Sequence, residues 1–281
     1  MTSKRAGGRI FKIVVYTVCV LLGLMSIFPF LVMFINATRS TPEIQQSSIS
    51  LLPSAFFSNN WRIILGMSYN PLVGFMNSMI ISVGVTACAT YFSSLTAYAL
   101  VAYNWKLRKP FFTFILAVMM IPAQVVTIGF YQFVWRIGMT NNFLPLILPA
   151  IASPAIVFLM RQYLLATLSL DIVNSARVDG AGEFRIFNSI ILPIMKPAIA
   201  TQAIFVFVSS WNSFFLPLVL LTDNKKYTMP IMVSLLRGDI YRTEFGAVYL
   251  ALSLSVLPLF AIYFALSRYI IAGVQLGGVK E

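Results

Sequence analysis

Long apolar runs, separated by shorter polar or charged segments, follow one another along the whole chain. A helix that crosses a bilayer needs about 20 mostly apolar residues, and six runs approach or exceed that length. They cover residues 13–37, 71–102, 110–135, 143–160, 198–222 and 245–267. The pattern predicts an all-α integral membrane protein with six transmembrane helices.

The composition excludes a soluble enzyme. Hydrophobic residues make up 59% of the chain and charged residues only 10%, against about 25% charged residues in soluble domains. This leaves too little polar surface to face water, so lipid must cover much of the chain. The chain has no histidine, which removes imidazole catalysis and histidine-ligated metal sites. We therefore predict no catalytic residue and no metal site.

The formal net charge of +12 has two interpretations. In a soluble protein it would suggest nucleic-acid binding. In a membrane protein, Lys and Arg gather in cytoplasmic loops and set the topology. With the N-terminus inside, 13 of the 20 Lys and Arg residues fall on the cytoplasmic side, at both termini and in segments 103–110 and 161–197. The sequence therefore predicts two cytoplasmic termini, a lipid bilayer around the chain and no nucleic-acid partner.

Neither a composition shift nor an internal repeat divides the chain. We predict a single transmembrane domain over residues 1–281, with its core at residues 71–270. Two loops are longer than a connection needs, one cytoplasmic at residues 161–197 and one external at residues 223–244. Long ordered loops often carry function. A short external amphipathic helix is also expected around residues 60–65.

A seam of small residues runs along the second predicted helix. It consists of Gly74, Ser78, Ser82, Thr86, Thr90 and Ser94, which recur every four residues. This spacing keeps them near one helix face. There, small side chains let helices approach closely and hydroxyls can bond across the contact. Both a packing seam and a polar pore wall fit this pattern.

The predicted helices carry no Asp, Glu, Lys or Arg near their middles. Proton-driven transporters need such groups as relays, so energy is expected to enter from outside the membrane. In the fifth run, Asn212 lies beside Trp211 and close to Phe215. An amide beside aromatic rings suits a sugar, but one interhelical hydrogen bond with ordinary packing explains these residues equally well.

The cytoplasmic loop contains a pattern for two short helices. Ser169 or Asp171 can cap the first helix, and Gly180 can take the left-handed conformation that ends it. The second helix is expected from residue 182 or 183 until Pro193 breaks it. Ile172, Val173 and Ala176 add an apolar face at helical spacing. Such a face fits a groove on a partner, although the loop could instead be a solvated linker packed on its own membrane domain.

This loop resembles the EAA motif of permeases from bacterial ABC importers, which reads Glu-Ala-Ala, three residues, Gly, nine residues, Ile, one residue, Leu-Pro. Gly180, Ile190 and residues 192–193 agree in identity and spacing. Asn174 and Ser175 replace the Glu and the first Ala. Shorter matches at Asn77-Ser78, Ala97–Leu100 and Trp211-Asn212 resemble the carbohydrate type, which includes the maltose permeases and their oligosaccharide-importing relatives.

The resemblance implies a type I ABC importer transmembrane domain in the bacterial cytoplasmic membrane. Such a subunit pairs with a second permease as a heterodimer, binds two copies of a cytoplasmic ABC ATPase per complex, and receives its cargo from an extracytoplasmic sugar-binding protein. ATP and Mg bind to the ATPase, and the permease itself holds no cofactor. The absence of a Gly-x-x-x-x-Gly-Lys-Ser/Thr phosphate loop agrees with this division.

The resemblance also assigns candidate sites. The expected ATPase-coupling residues are Asn174, Ser175, Ala176, Asp179, Gly180 and Ala181. The expected substrate path includes Asn77, Trp211, Asn212 and Phe215. The expected contacts with the binding protein are Leu236, Arg237, Gly238, Asp239, Ile240 and Tyr241.

The predicted function is that of a permease subunit that forms half of the path for a sugar or oligosaccharide. One alternative keeps the ABC class and changes the cargo to a polyamine, phosphate or peptide. An ion-coupled secondary transporter is a second alternative, and a membrane scaffold without transport is a third.

Overall fold

The fold is described from a computed structural model that covers residues 3–66, 70–236 and 243–278, with side chains apart from those of 3–10, 123–124 and 268–278. Regular structure in this part of the chain is helical throughout. The α-helices are α1 Ser3–Asn36, α2 Thr41–Gln46, α3 Phe57–Gly66, α4 Pro71–Ala102, α5 Arg108–Met119, α6 Ala123–Arg136, α7 Leu144–Ile147, α8 Pro154–Thr167, α9 Leu170–Val178, α10 Glu183–Ile186, α11 Leu192–Ile194, α12 Lys196–Trp211, α13 Phe215–Leu220, α14 Met229–Leu236 and α15 Phe245–Gly278. Leu148–Ile151 and Asn224–Lys226 form 3₁₀ turns, and Phe187–Ile191 is π-helical.

Four stretches of the described chain are long and apolar enough to cross a membrane. They are Phe11–Asn36, Pro71–Ala102, Leu144–Thr167 and Phe245–Ser267. The helix pair Glu183–Ile194 and Lys196–Trp211, bent by 78°, makes a fifth if the two helices count as one span. The chain is therefore an all-helical membrane protein, as the hydrophobic pattern predicts.

The third and fifth predicted spans are wrong as continuous helices. Residues 110–135 divide into α5 and α6, because Pro122 takes an extended conformation (φ −60°, ψ 127°) and starts a new helix. The run 198–222 is interrupted after Trp211, and the separate helix α13 follows. The expected amphipathic helix near residues 60–65 is confirmed as α3.

One unit of the chain comprises Met1–Pro71 and Val233–Leu257. Its polar contacts fix the segment after α1. Asn60 is buried and donates hydrogen bonds to the carbonyl oxygens of Ala37 and Arg39, both at 2.9 Å. Thr41 donates to the Glu244 carboxylate at 2.7 Å and accepts from the Phe245 backbone amide at 3.0 Å. These bonds hold the first turn of α15.

The other unit comprises Leu72–Met232 and Pro258–Glu281, and the small-residue seam of α4 lies in it from Gly74 onward. A Cβ on Gly74 would lie 2.7 Å from Met232 Cγ and 3.1 Å from the Met229 amide nitrogen, so only glycine fits this contact. The Ser78 hydroxyl accepts a hydrogen bond from the same Met229 amide at 2.8 Å.

Further along the seam, Thr86, Thr90 and Ser94 donate to carbonyl oxygens four residues earlier in α4. These three hydroxyls are therefore satisfied within α4, which supports the packing interpretation, whereas the buried Ser82 hydroxyl has no partner among the described residues. Ser78 alone among the seam residues also borders the internal cavity described below.

A hydrophobic core in this second unit joins four parts of the chain. It is formed by Ala89, Ala97, Tyr98 and Val101 of α4, Ile156, Met160 and Leu164 of α8, Val173 and Ala176 of α9, and Ile186, Phe187, Ile191 and Met195 of the following segment. The loop of residues 161–197 is therefore a folded part of this second unit, because its own apolar residues are buried in the core.

Candidate coupling site

Helix α9 begins and ends as local chemistry dictates. The Ser169 side chain accepts a hydrogen bond from the Asp171 amide at 3.3 Å and caps the N-terminus. At the C-terminus, Gly180 has φ +80° and donates to the Arg177 carbonyl, while Ala181 donates to the Ala176 carbonyl. These two bonds form a Schellman motif, which turns the chain sharply. The predicted cap and the predicted left-handed glycine are both confirmed.

The second short helix follows Gly182, whose extended backbone acts as the N-cap. The segment Glu183–Ile194 ends one residue beyond Pro193, and a 78° bend leads into α12. Two features explain why the helical segment ends here. Pro193 has no amide hydrogen to donate, and the preceding turn is π-helical, with the Leu192 amide bonded to the Phe187 carbonyl.

An ion pair closes the turn between the two helices. Arg177 Nε lies 2.7 Å from Glu183 Oε1, with both side chains partly exposed. Glu183 Oε2 accepts hydrogen bonds from the hydroxyls of Tyr98, at 3.1 Å, and Tyr103. Burial, followed by the bond to Glu183, raises the pKa of Tyr103, so this hydroxyl remains a donor. The hydrogen bond to Glu183 raises the pKa of Arg177.

This network connects the turn to the end of α4. Arg177 also donates to the Asn174 side-chain oxygen at 3.3 Å, and its guanidinium lies 5.3 Å from the centre of the Tyr103 ring. Arg177, Tyr103 and Glu183 are not among the site residues predicted from the sequence. The sequence does contain one sign of the ion pair, because the opposite charges of Arg177 and Glu183 lie six residues apart on either side of Gly180.

The six predicted coupling residues lie together on this turn. Asn174, Ser175, Asp179 and Gly180 are exposed, Ala181 is half-buried and Ala176 is buried in the core. Ala176, Asp179, Gly180 and Ala181 line a concave surface of about 350 Å³, together with residues of the second short helix. The arrangement leaves a shaped, partly apolar surface on which a partner can dock.

Two large apolar side chains stand out from the same turn. Val178 is 87% exposed and Phe184 is 72% exposed. Large exposed apolar groups beside polar ones are typical of interaction sites. Their place next to the ion pair makes this face of the turn a candidate contact surface.

The predicted substrate-path residues have different environments. Asn77 donates two hydrogen bonds of 2.9 Å to the backbone carbonyls of Lys225 and Tyr227. Trp211 is buried and packs between the rings of Phe75 and Phe207. Both therefore make structural contacts. Their role in the path stays a prediction.

The other two predicted substrate-path residues, Asn212 and Phe215, lie at the break between α12 and α13. Both are exposed, and Phe215 is 61% exposed. Neither side chain lines the cavity between α4, α7, α8, α12 and α13 that is described next. Their part in the path likewise stays a prediction.

A cavity of about 380 Å³ lies between α4, α7, α8, α12 and α13. Its polar lining consists of Ser78, Gln202, Ser209, Ser210, Ser213 and Thr228, and its apolar lining includes Ile81, Leu146, Ile156 and Phe205. Thr228 is buried, and its hydroxyl has no hydrogen-bond partner among the described residues. The lining residues are spread over six segments from α4 to the residue before α14, so no local sequence pattern connects them.

Of the predicted contacts with a binding protein, only Leu236 lies within the described residues, where it is buried at the end of α14. Arg237, Gly238, Asp239, Ile240 and Tyr241 lie outside them. That part of the prediction stays open.

Known proteins resemble the chain over nearly its whole length. The lactose transport system permease protein LacG of Rhizobium radiobacter is 34% identical, with both chains fully covered. The arabinooligosaccharides transport system permease protein AraQ of Halalkalibacterium halodurans is 33% identical over 91% of this chain and 92% of its own. A crystal structure of a bacterial ABC transporter involved in the import of the acidic polysaccharide alginate matches with a TM-score of 0.81 at 23% identity, covering 94% of this chain and 98% of that one.

The family model of the binding-protein-dependent transport system inner membrane component matches residues 89–275. This range contains most of the membrane helices and the turn of residues 174–183, which is named the coupling turn after the six predicted coupling residues on it. The chain therefore belongs to the family of binding-protein-dependent transport system inner membrane components, and it is the permease subunit of an ABC importer.

Proposed function

We propose that this permease forms half of the translocation path for a neutral sugar or oligosaccharide. The observation that carries the proposal is the cavity lined by α4, α7, α8, α12 and α13. Six of its lining residues offer hydroxyl or amide groups, and none of the described residues that line it is charged. Hydroxyl groups of a sugar both donate and accept hydrogen bonds, which Ser, Thr and Gln side chains can match.

The same lining argues against charged cargo. A phosphate or a polyamine would need charged partners along the path, because an unpaired charge is expensive to take out of water. LacG and AraQ are named for lactose and arabinooligosaccharides, which are uncharged, whereas another relative is named for sn-glycerol-3-phosphate and the matched crystal structure for alginate, an acidic polysaccharide. The choice of a neutral sugar therefore rests on the uncharged lining of this chain's own cavity. A sugar is therefore favoured over the polyamine and phosphate alternatives.

Energy enters through the coupling turn. We assign the exposed face around Asn174, Ser175, Asp179 and Gly180 to contact with a cytoplasmic ATPase. Membership of a binding-protein-dependent family implies a binding protein and an ATPase as partners. In the proposed assembly, a second permease completes the path and each permease holds one of two ATPase copies. ATP and Mg bind to the ATPase, and the external segment 236–241 faces the sugar-binding protein.

The proposed topology has six crossings in a single transmembrane domain with both termini in the cytoplasm. Helices α5 and α6 have 12 and 14 residues. At about 1.5 Å per residue, neither crosses a hydrocarbon core of about 30 Å. Together they form the sixth crossing, in addition to the four long spans and the bent pair. The excess of Lys and Arg on the proposed cytoplasmic side supports the orientation.

The test is uptake by the reconstituted importer. Neutral oligosaccharides should be transported, and sn-glycerol-3-phosphate and putrescine should not. Gln202→Ala and Thr228→Val should each raise KM for the sugar about fivefold, because each removes one hydrogen bond worth roughly 1 kcal/mol. Gln132→Ala, an exposed position on α6 outside the cavity, is the matched control.

The stability of the cavity variants shows whether a change in KM comes from the cavity or from a loss of folded protein. Thr228→Val exchanges an unpartnered buried hydroxyl for a methyl group, so the stability of the chain should not fall. An unchanged KM in both variants, or preferential uptake of a charged solute, would overturn the assignment of the cavity to a neutral sugar.

A further inference from the structure

A strongly basic pocket of about 860 Å³ lies at the turn between α4 and α5, away from the sugar cavity. Four cationic side chains line it: Lys106, Arg108 and Lys109 from the turn, and Arg161 from α8. The rest of the lining consists of Asn104, Trp105, Pro110, Phe112 and Thr113, so the described lining contains no carboxylate.

Rigid packing holds the pocket open. The Arg161 guanidinium lies over the Phe112 ring at 4.0 Å from its centre, and Phe112 stacks on Phe158 with a centroid distance of 6.3 Å. A small core of Leu100, Ile115 and Val157, against which Phe112 packs, joins α4, α5 and α8 below these rings. Arg108 and Lys109 at the start of α5 and Arg161 on α8 are therefore carried by helices that pack against one another, and Lys106 lies in the turn before α5.

The positive charge of the pocket is not offset within the described part of the chain. The only ion pair found there joins Arg177 and Glu183. Arg108 donates to the backbone carbonyl of Tyr103 at 3.3 Å, which does not neutralise it. Arg161 Nε is buried and has no hydrogen-bond partner among the described residues. A bound anion would relieve the mutual repulsion of the four cations.

The surroundings identify the kind of anion. The pocket lies at the end of the membrane-spanning helix α4, and Trp105 is partly exposed at its edge, as expected at a membrane–water interface. Phe111 and Phe114 on α5 expose 42% and 63% of their surface. A cationic pocket joined to an exposed apolar helix face suits a molecule with a phosphate head and hydrocarbon chains.

We propose that this basic pocket binds the phosphodiester headgroup of an anionic phospholipid, with the acyl chains along α5. Basic pockets between membrane helices are suited to such headgroups. Asn104 and Trp105 also line a neighbouring depression together with Glu183 and Phe184 of the coupling turn. A bound lipid would therefore fix the α4–α5 turn directly beside the coupling site. The proposal requires only that this turn lies at the membrane surface, and it does not depend on the identity of the cargo.

The experiment measures lipid binding to the purified full-length chain by native mass spectrometry. Dioleoyl-phosphatidylglycerol and dioleoyl-phosphatidylcholine are titrated separately, and glycerophosphoglycerol serves as the headgroup without chains. Phosphatidylglycerol should bind best. Lys106→Gln with Lys109→Gln should weaken its binding about thirtyfold, because two cations near a membrane surface are lost.

Two further variants complete the test. Arg62→Gln with Arg136→Gln removes two exposed cations outside the pocket and should leave phosphatidylglycerol binding unchanged. Arg161→Lys keeps the charge but loses the guanidinium geometry, and binding should fall several-fold while the chain stays folded.

Three outcomes would overturn the proposal. Equal binding of phosphatidylcholine would remove the role of charge. Equal binding of glycerophosphoglycerol would show a site for a soluble phosphate ester. Unchanged lipid binding in Lys106→Gln/Lys109→Gln, with loss of ATPase co-purification, would show that the pocket contacts a protein.

Discussion

Replacing Gly180 is the sharpest perturbation of the coupling turn. Its φ of +80° lies in the left-handed region, and an added Cβ would meet no atom of this chain within 4 Å. Gly180→Ala therefore introduces backbone strain without a collision inside the subunit. Two residues further on, Gly182 also has open space around its Cβ position, but its φ is −68°. Gly182→Ala is therefore a matched control that lacks the strain.

The magnitude follows from the backbone conformation. An L-residue in the left-handed region costs about 1–2 kcal/mol, so the population of the observed turn should fall roughly five- to thirtyfold relative to relaxed alternatives. Asn tolerates this region better than Ala, so Gly180→Asn should be milder. Gly180→Val should be the most severe, because its branched side chain is stiff and would also occupy the proposed contact surface.

The assay measures ATP-driven uptake by the complete importer in proteoliposomes, together with co-purification of the ATPase. Uptake and co-purification should decrease in the order Gly182→Ala, Gly180→Asn, Gly180→Ala, Gly180→Val. Membrane insertion should be equal in all four, since the turn lies outside the long spans. Equal uptake in Gly180→Ala and Gly182→Ala would refute the argument that the left-handed turn presents the contact surface.

The remaining predictions concern packing and polar contacts. Gly74→Ala should lower stability by about 1–3 kcal/mol through overpacking, whereas Gly129→Ala, with open space in α6, should raise it slightly; thermal unfolding in detergent checks both. Glu183→Gln should lower the stability of the chain by about 1 kcal/mol, a small loss because the ion pair with Arg177 is partly exposed. The same substitution should reduce ATPase co-purification. Asn77→Ala should lower the melting temperature, because it removes two hydrogen bonds to backbone carbonyls; an unchanged melting temperature would show that these bonds do not stabilise the fold.

Local chemistry explains which parts of the fold could be predicted. The Ser169 cap, the left-handed Gly180 and the second short helix depend on neighbours within a few residues, and all three are confirmed. The long helices that begin at Pro71 and Phe245 are apolar over more than 20 residues, so composition alone predicts that they span a membrane.

Longer-range contacts explain the rest. A run of apolar residues does not reveal a break, so the division at Pro122 and the end of α12 at Trp211 were missed. The bonds from Asn77 join residues about 150 positions apart, and the tyrosine partners of Glu183 lie 80 and 85 positions away. Such pairings depend on tertiary structure and leave no periodic signal in the sequence.

The central claim is that this permease moves a neutral sugar only when an ATPase acts on its coupling turn. The most direct measurement compares sugar uptake into proteoliposomes that hold the complete importer with uptake into proteoliposomes that hold this chain alone. Uptake should occur in the first case and require ATP and the binding protein, and it should be absent in the second case under proton or sodium gradients. Gradient-driven uptake by the chain alone, without ATP, would contradict the claim.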